Sequence, residues 1–332
     1  MFQYLRKDKS LPAFIVMFLC IQLQLYAQNY RPHPLLSPSW QAETEYYSPS
    51  QVNDTTLENG FIGGSLNFRI PLYTGKDWLS ADGGKPFFAV LSNFGAGVRQ
   101  TEINFIEPDR LLSLAKIGVT GLMAKGPSSL RNLYMLNLSV SLPTESFWFK
   151  PSYLRPHGAF VWRHLYHNNK VWHTIGVTYT PIRGRDIPLP ILGAGLKIGN
   201  DDQVQFTFPY NLAYTHSFSK KFSLGAKLNS SGGYYYLKTD SIHTSEPVEY
   251  RQRFARLCMT ARYYTSRFVV IAPEFGIAGK GKLQLDDQKY TQLASLYFKL
   301  SIQVRWGKRP AASPILNFDP GDSGFDPNYL VE

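Results

Sequence analysis

From Ala294 to Trp306 the sequence switches character at every residue. Ala294, Leu296, Phe298, Leu300, Ile302, Val304 and Trp306 alternate with Ser295, Tyr297, Lys299, Ser301, Gln303 and Arg305. A period of two puts one set on each face of a β-strand. The run exceeds the usual globular strand of about 5 to 6 residues and satisfies the roughly 9 to 11 residues that a tilted strand needs to cross a bilayer. A chain carrying many such strands is constrained to an all-β fold with one apolar and one polar surface.

The pattern recurs. In Ile62 to Leu72, Ile62, Leu66, Phe68, Ile70 and Leu72 oppose Ser65, Asn67 and Arg69. In Val204 to Ser217, Val204, Phe206, Phe208, Tyr210, Leu212 and Tyr214 oppose Gln205, Thr207, Asn211, Thr215 and Ser217, and Pro209 reads as a bulge because proline cannot donate a ladder hydrogen bond. Weaker strands are predicted at Phe87 to Val98, Ala115 to Met123, Tyr134 to Leu142, Gly158 to Tyr166, Val171 to Thr180, Pro190 to Ile198, Phe222 to Asn229, Arg251 to Tyr264 and Phe268 to Ala278. The expected fold is a closed antiparallel up-and-down transmembrane β-barrel of about twelve strands, within a range of ten to fourteen, over residues 61–306. If Ile62 to Leu72 runs outward, the long connections Tyr73 to Pro86, Ser230 to Tyr250 and Gly279 to Thr291 are extracellular. The tight turns Ser219 to Lys221 and Thr265 to Arg267 are then periplasmic. Two connections run against that scheme, the long Arg99 to Leu114 and the short His167 to Lys170.

Residues 1–27 have the form of a signal peptide: Arg6, Lys7 and Lys9 precede an apolar stretch, Leu11 to Leu25, that ends at the small residue Ala27. The stretch is too short and too interrupted, by Gln22 and Gln24, for a membrane helix. Cys20 raises lipidation as an alternative, but Leu19 before it is large for that role. Residues 28–60 read as an extended leader, and 307–332, with Pro310, Pro314, Pro320 and Pro327, as a disordered periplasmic tail. After cleavage only Cys258 remains, which excludes an intrachain disulfide. Aromatic residues make up 15% of the chain although only 44% is apolar, which suits alternating strands with interfacial girdles. A soluble secreted β-protein shares part of that signature. The net charge of +11, without a basic run interleaved with aromatics, points to anionic lipopolysaccharide or anionic solutes and away from nucleic acid.

Parity gathers Arg69, Lys116, Lys197, Lys227, Arg256, Arg262, Lys299 and Arg305 on the polar face, with Glu274 as the main opposing charge. The functional reading is an anion-favouring lumen; the plain one is snorkelling at the rims or pairing inside a plugged barrel. His157, His164, His167 and His173 do not converge by parity and lack carboxylate or cysteine partners at ligand spacing, so no metal site is expected. No nucleophile elbow occurs. Gly193, Gly195 and Gly199 lack the strand-turn-helix context of a dinucleotide site and read instead as places of close backbone approach or of a bend. Neither a cofactor nor an enzymatic activity is expected. Cys258 reads as a small inert filler, and Tyr234, Tyr235 and Tyr236 as part of an outer aromatic girdle.

The stretch Leu189-Pro190-Ile191-Leu192-Gly193-Ala194-Gly195, with Asn200-Asp201-Asp202, Phe206-Thr207-Phe208-Pro209 and Phe222-Ser223-Leu224-Gly225, resembles a family of bacterial outer-membrane barrels, the domain-of-unknown-function 6268 barrels. The resemblance covers Phe61 to Trp306. It implies a cell outer-membrane location, insertion by the barrel-assembly machinery, and no assigned activity or site residues. Three functions are then in play: a small passive channel for anionic or polar solutes, a structural or surface-binding barrel acting through its loops, and, remotely, a membrane-embedded hydrolase.

Overall fold

A computed structural model describes residues 38–305, apart from 54–57, 75–85, 104–109, 126–131, 146–148, 167–169, 180–187, 200, 210, 239–247, 267–268 and 286–287. The expected signal peptide and C-terminal tail lie outside the described residues. The strands are β1 (Ser39–Gln51), β2 (Glu58–Thr74), β3 (Pro86–Ile103), β4 (Arg110–Lys125), β5 (Asn132–Glu145), β6 (Arg155–Tyr166), β7 (Val171–Tyr179) and β8 (Pro188–Ile198). They continue as β9 (Asp202–Phe208), β10 (Asn211–Ser217), β11 (Phe222–Leu237), β12 (Val248–Tyr264), β13 (Val269–Ala278), β14 (Gly281–Leu285), β15 (Gln288–Gln292) and β16 (Ser295–Arg305).

Each strand pairs antiparallel with its neighbour from β1 to β12, β12 passes through β13 to β16, and β16 returns to β1. β14 continues β13 along the same edge of β12, and β15 continues β16, touching β1 through the Val52–Gln292 bridge. The result is a closed barrel of 14 strands. The two strands beyond the expected twelve have separate origins. β1 lies in the segment read as a leader, so the barrel begins at Ser39 and not at 61. The predicted strand Val204 to Ser217 is two strands, β9 and β10, which pair with each other through Thr207–Asn211 to Asp202–His216. Pro209 sits in the turn between them and not in a bulge, consistent with a residue that cannot donate to a ladder.

Adding β1 reverses the direction of every strand up to that turn, and the split at Pro209 restores it afterwards. The Arg99 to Leu114 and His167 to Lys170 connections therefore exchange ends, which removes both conflicts in the loop-length scheme. Tyr73 to Pro86 moves the other way, to the end that holds Ser39 and Arg305, where it is a long connection among the tight turns and runs against the scheme. Gly279 to Thr291, read as a loop, contains the β14–β15 hairpin.

Alternation makes the wall two-faced. Outward residues such as Leu136, Leu138, Ile175, Val177, Leu257, Met259, Phe275 and Ile277 are exposed, whereas their neighbours Asn137, Ser139, Thr174, Thr178, Arg256, Cys258 and Glu274 are buried in the interior. At the termini end this apolar belt is edged by Tyr73, Phe88, Trp162, His164, Tyr166, Tyr214 and Phe222, a girdle of the kind found where a barrel meets the bilayer surface.

At the opposite end the barrel narrows. β10 accompanies β11 only as far as Asn229, and β6 accompanies β5 only from Ser141 downward. The upper part of β11 leaves the wall, crosses the interior and meets the free edge of β5, where Tyr236 bridges Thr144 in parallel. Glu145 accepts a hydrogen bond from the Lys238 backbone N–H at 2.9 Å. β11, β12, β14, β15, the end of β1, β2, β3, β4 and β5 thus form a smaller ring, a neck, from which β6 to β10 are excluded. Val52, Leu112, Tyr235, Leu237, Tyr250 and Leu283 fill it as a buried apolar cluster. Tyr234 and Tyr236 face the other way and pack with Tyr153 and Leu142. These tyrosines, read as loop residues of an outer girdle, belong to β11 and are buried. At Gly233 a Cβ would collide with the Tyr235 ring and crowd the Arg99 guanidinium, so glycine leaves room for both side chains.

Leu138, at the centre of β5, is 55% exposed on the outer face. Leu138→Arg is expected to lower the folding free energy in phosphocholine vesicles by about 2 to 4 kcal/mol, the cost of a cation in the hydrocarbon. Urea titration against the parent protein measures it, and equal stabilities would show that this face does not meet lipid.

Candidate functional site

Register settles which way each charged side chain points. Lys116 lies opposite Ser141, Lys197 opposite Gln203, Lys227 opposite Cys258, Arg256 opposite Asn229 and Arg262 opposite Ser223. Lys299 lies opposite both Glu274 and Glu45, and Ser39 stands opposite both Arg69 and Arg305. All eight lie on the inner face, at two levels. Arg69, Lys197, Arg262 and Arg305 are spread round the opening at the termini end. Lys116, Lys227, Arg256 and Lys299 sit deeper.

Three of the deep cations join a buried network with acids that β1 and β13 supply. Lys227 Nζ donates to Glu274 Oε1 at 3.1 Å, and the Tyr297 hydroxyl donates to Glu274 Oε2 at 3.1 Å. Arg256, only 2% exposed, donates to the hydroxyls of Tyr47 (2.9 Å) and Tyr297 (3.1 Å) and to Asn229 Oδ1 (3.3 Å). Lys299 pairs with Glu43 at 2.7 Å, and Arg99 Nε donates to Glu45 Oε1 at 2.8 Å. Glu43 and Glu45 escaped the sequence reading because β1 was assigned to the leader, although alternation in Gln41-Ala42-Glu43-Thr44-Glu45-Tyr46-Tyr47 was there to be read. Arg99 escaped because the predicted strand stopped at Val98, whereas β3 continues to Ile103. The lumen is therefore less one-sided in charge than parity on the later strands suggested.

Between the network and the neck lies a cavity that opens to solvent. Arg99, Lys116, Arg155 and Lys299 line it together with Glu43 and Glu45, and Tyr234 and Tyr235 lie at its neck side. On β8 a Cβ at Gly195 would fall inside the Trp172 indole, over which the Arg163 guanidinium stacks at 4.8 Å. This is the close approach expected of that glycine. Cys258 is buried on the inner face among Tyr47, Phe61, Phe254 and Tyr297.

The histidines divide. His157 points inward, while His164 and His173 are direct cross-strand partners on the outer face at the termini end, a shared side that parity had not assigned them. Asn132 Oδ1 accepts from Trp162 Nε1 at 3.1 Å and lies 2.7 Å from His164 Nδ1. His167 lies outside the described residues. Among those residues no group of three or more His, Cys, Asp or Glu is placed to hold a metal.

A closed barrel with every strand paired, an apolar belt and an aromatic rim meets the conditions for crossing a bilayer with strands. The protein is an outer-membrane β-barrel. No family model matches the chain, and no curated protein matches its sequence. Among solved structures it is similar to an outer membrane channel from Pseudomonas putida F1, at 8% identity over 84% of this chain and 98% of that one, with a TM-score of 0.45. It is also similar to the translocator domain of the autotransporter NalP from Neisseria meningitidis, at 10% identity over 90% and 98% of the two chains, with a TM-score of 0.30. A third is the outer membrane protease OmpT from Escherichia coli, at 12% identity over 81% and 94%, with a TM-score of 0.23. These likenesses are loose, and the assignment of this barrel rests on its own strands and faces.

Removing one member of a buried ion pair leaves the other charge without compensation, at a cost of about 3 to 5 kcal/mol. Lys227→Met and Glu274→Gln are each expected to destabilise the barrel by about 3 kcal/mol on this ground. The double variant should lose clearly less than the sum of the two. Chemical denaturation of the four proteins tests the coupling, and strict additivity would contradict it.

Proposed function

We propose that this barrel is a gated passage for small anionic or polar solutes across the outer membrane, with the neck at the extracellular end and both termini in the periplasm. The observation that carries the reading is the cavity beneath the neck, which Arg99, Lys116, Arg155 and Lys299 line together with Glu43 and Glu45. Rings of lysine and arginine favour anions. The cations round the termini-end opening extend the same bias along the lumen. Lipopolysaccharide and the barrel-assembly machinery are the other partners this reading requires, and the resemblance to the domain-of-unknown-function 6268 barrels belongs with it.

The apolar cluster blocks the straight route through the neck, so conduction requires the neck to open. Its weakest seam is between β11 and β5. Among the described residues a single backbone bridge joins them, beside the Glu145–Lys238 hydrogen bond and the Leu142–Tyr236 packing, whereas β11 and β12 share a continuous ladder from Phe222–Tyr263 to Leu237–Val248. The same sealed neck favours a second reading, in which the β11–β12 hairpin is a surface-binding element and the lumen only supports it.

Planar bilayers separate the two. The channel reading expects conductance with a reversal potential displaced toward chloride in a salt gradient, and Lys116→Glu should move that potential toward the cation. A disulfide between Thr144→Cys and Tyr236→Cys should lower the conductance when oxidised and restore it on reduction. A folded barrel with no conductance above bare lipid would overturn the channel reading and leave the surface-binding one.

A further inference from the structure

β6 opens with Arg155, and two residues later the same face carries His157. Both have buried polar atoms with no hydrogen-bond partner: Nε of Arg155 and Nδ1 of His157. A third, Ser139 Oγ, belongs to the residue directly opposite His157 on β5. His157 is only 5% exposed and Ser139 6%. Most buried polar atoms in folded proteins have partners, so three orphans within one cross-strand patch ask for an explanation.

The patch has the chemistry of a receptor. Ser141 lies between Lys116 on β4 and Arg155 on β6 in a single row of register partners. Ser141 Oγ is 2.6 Å from His157 Nε2. When that hydroxyl donates to Nε2, the ring carries its proton on Nδ1, and the resulting N–H has no acceptor in the protein. Arg155 uses Nη2 to donate to the Tyr234 hydroxyl at 2.9 Å, with Glu249 at 3.8 Å as the carboxylate beside it, and keeps Nε in reserve. Lys116, Ser141, Arg155 and His157 all line the cavity beneath the neck. Glu43 and Glu45, also in the cavity wall, are occupied by Lys299 and Arg99.

We propose that Arg155, His157 and Lys116 bind an oxyanion group, carboxylate or phosphate, of a small soluble molecule, with Ser141 holding the imidazole and the Ser139 hydroxyl beside it as a further donor. The guanidinium Nε–H, the imidazole Nδ1–H and the ammonium are donors with no proton-accepting demand of their own, which is what an oxyanion requires. The site names a ligand class for the proposed passage and rests on that reading for its physiological sense, although binding itself is measurable without transport.

The test is calorimetric titration of the full-length barrel in detergent with inorganic phosphate and, separately, with acetate. Saturable binding of either anion is expected. Arg155→Gln and His157→Phe should each weaken it at least about tenfold, the loss of one charge-assisted hydrogen bond. His164→Gln, on the lipid face, should leave it unchanged. Heat-modifiable migration of every variant confirms that it is folded, and Lys116→Gln carries the comparison if either β6 variant fails to fold. No saturable binding by the parent protein, or equal binding by the folded variants, overturns the proposal. A barrel that binds phosphate without conducting defeats the passage and leaves the site; one that conducts without saturable binding does the reverse.

Discussion

Inside hydrocarbon an unpaired backbone N–H or C=O has nothing to bond, so a sheet that crosses a bilayer must leave no open edge. Here that requirement is met where β11 and β12 join the two ends of the strand order. The rest of the molecule follows from closure. With the ring shut, alternation divides every strand into a face for lipid and a face for the lumen. The interior acquires a fixed set of polar residues that must satisfy one another.

Width is the second consequence. An eight-stranded barrel is just filled by its own side chains, and sixteen or more strands leave an aqueous channel. A 14-stranded ring lies between, and this protein narrows it with backbone. β11 and β12, at 16 and 17 residues, are longer than a crossing requires. Their excess length folds inward and substitutes β5 for β10 as the neighbour of β11. The neck that results is filled by apolar side chains, so the same chain is polar at mid-lumen and apolar at its mouth.

The interior charges show why a list of cations is a poor guide to a lumen's potential. Lys227, Arg256 and Lys299 are buried and engaged with Glu274, Glu43 and the hydroxyls of Tyr47 and Tyr297. Their work is to hold adjacent strands together in a low-dielectric interior. The cations that line open space are fewer, and the proposed oxyanion patch on β4, β5 and β6 stands apart from the network along the wall.

Much of the wall was legible from the sequence because alternation is a local property. The all-β class and the alternation of faces from Ile62 to Leu296 follow from neighbours in the chain. Strand count was less so. β1 hid behind a proline-containing leader, and Pro209 marks a bulge or a turn equally well until the partners of the flanking Phe208 on β8 and Asn211 on β11 are known. Pairing decided the rest, because it depends on residues far apart in sequence. Nothing near Tyr236 indicates that it bridges Thr144, nothing near Glu43 indicates Lys299, and nothing near His157 indicates that Nδ1 would be left without an acceptor. Parity assigned each side chain to a face; only closure of the ring and the inward fold of β11 determined what that face would meet.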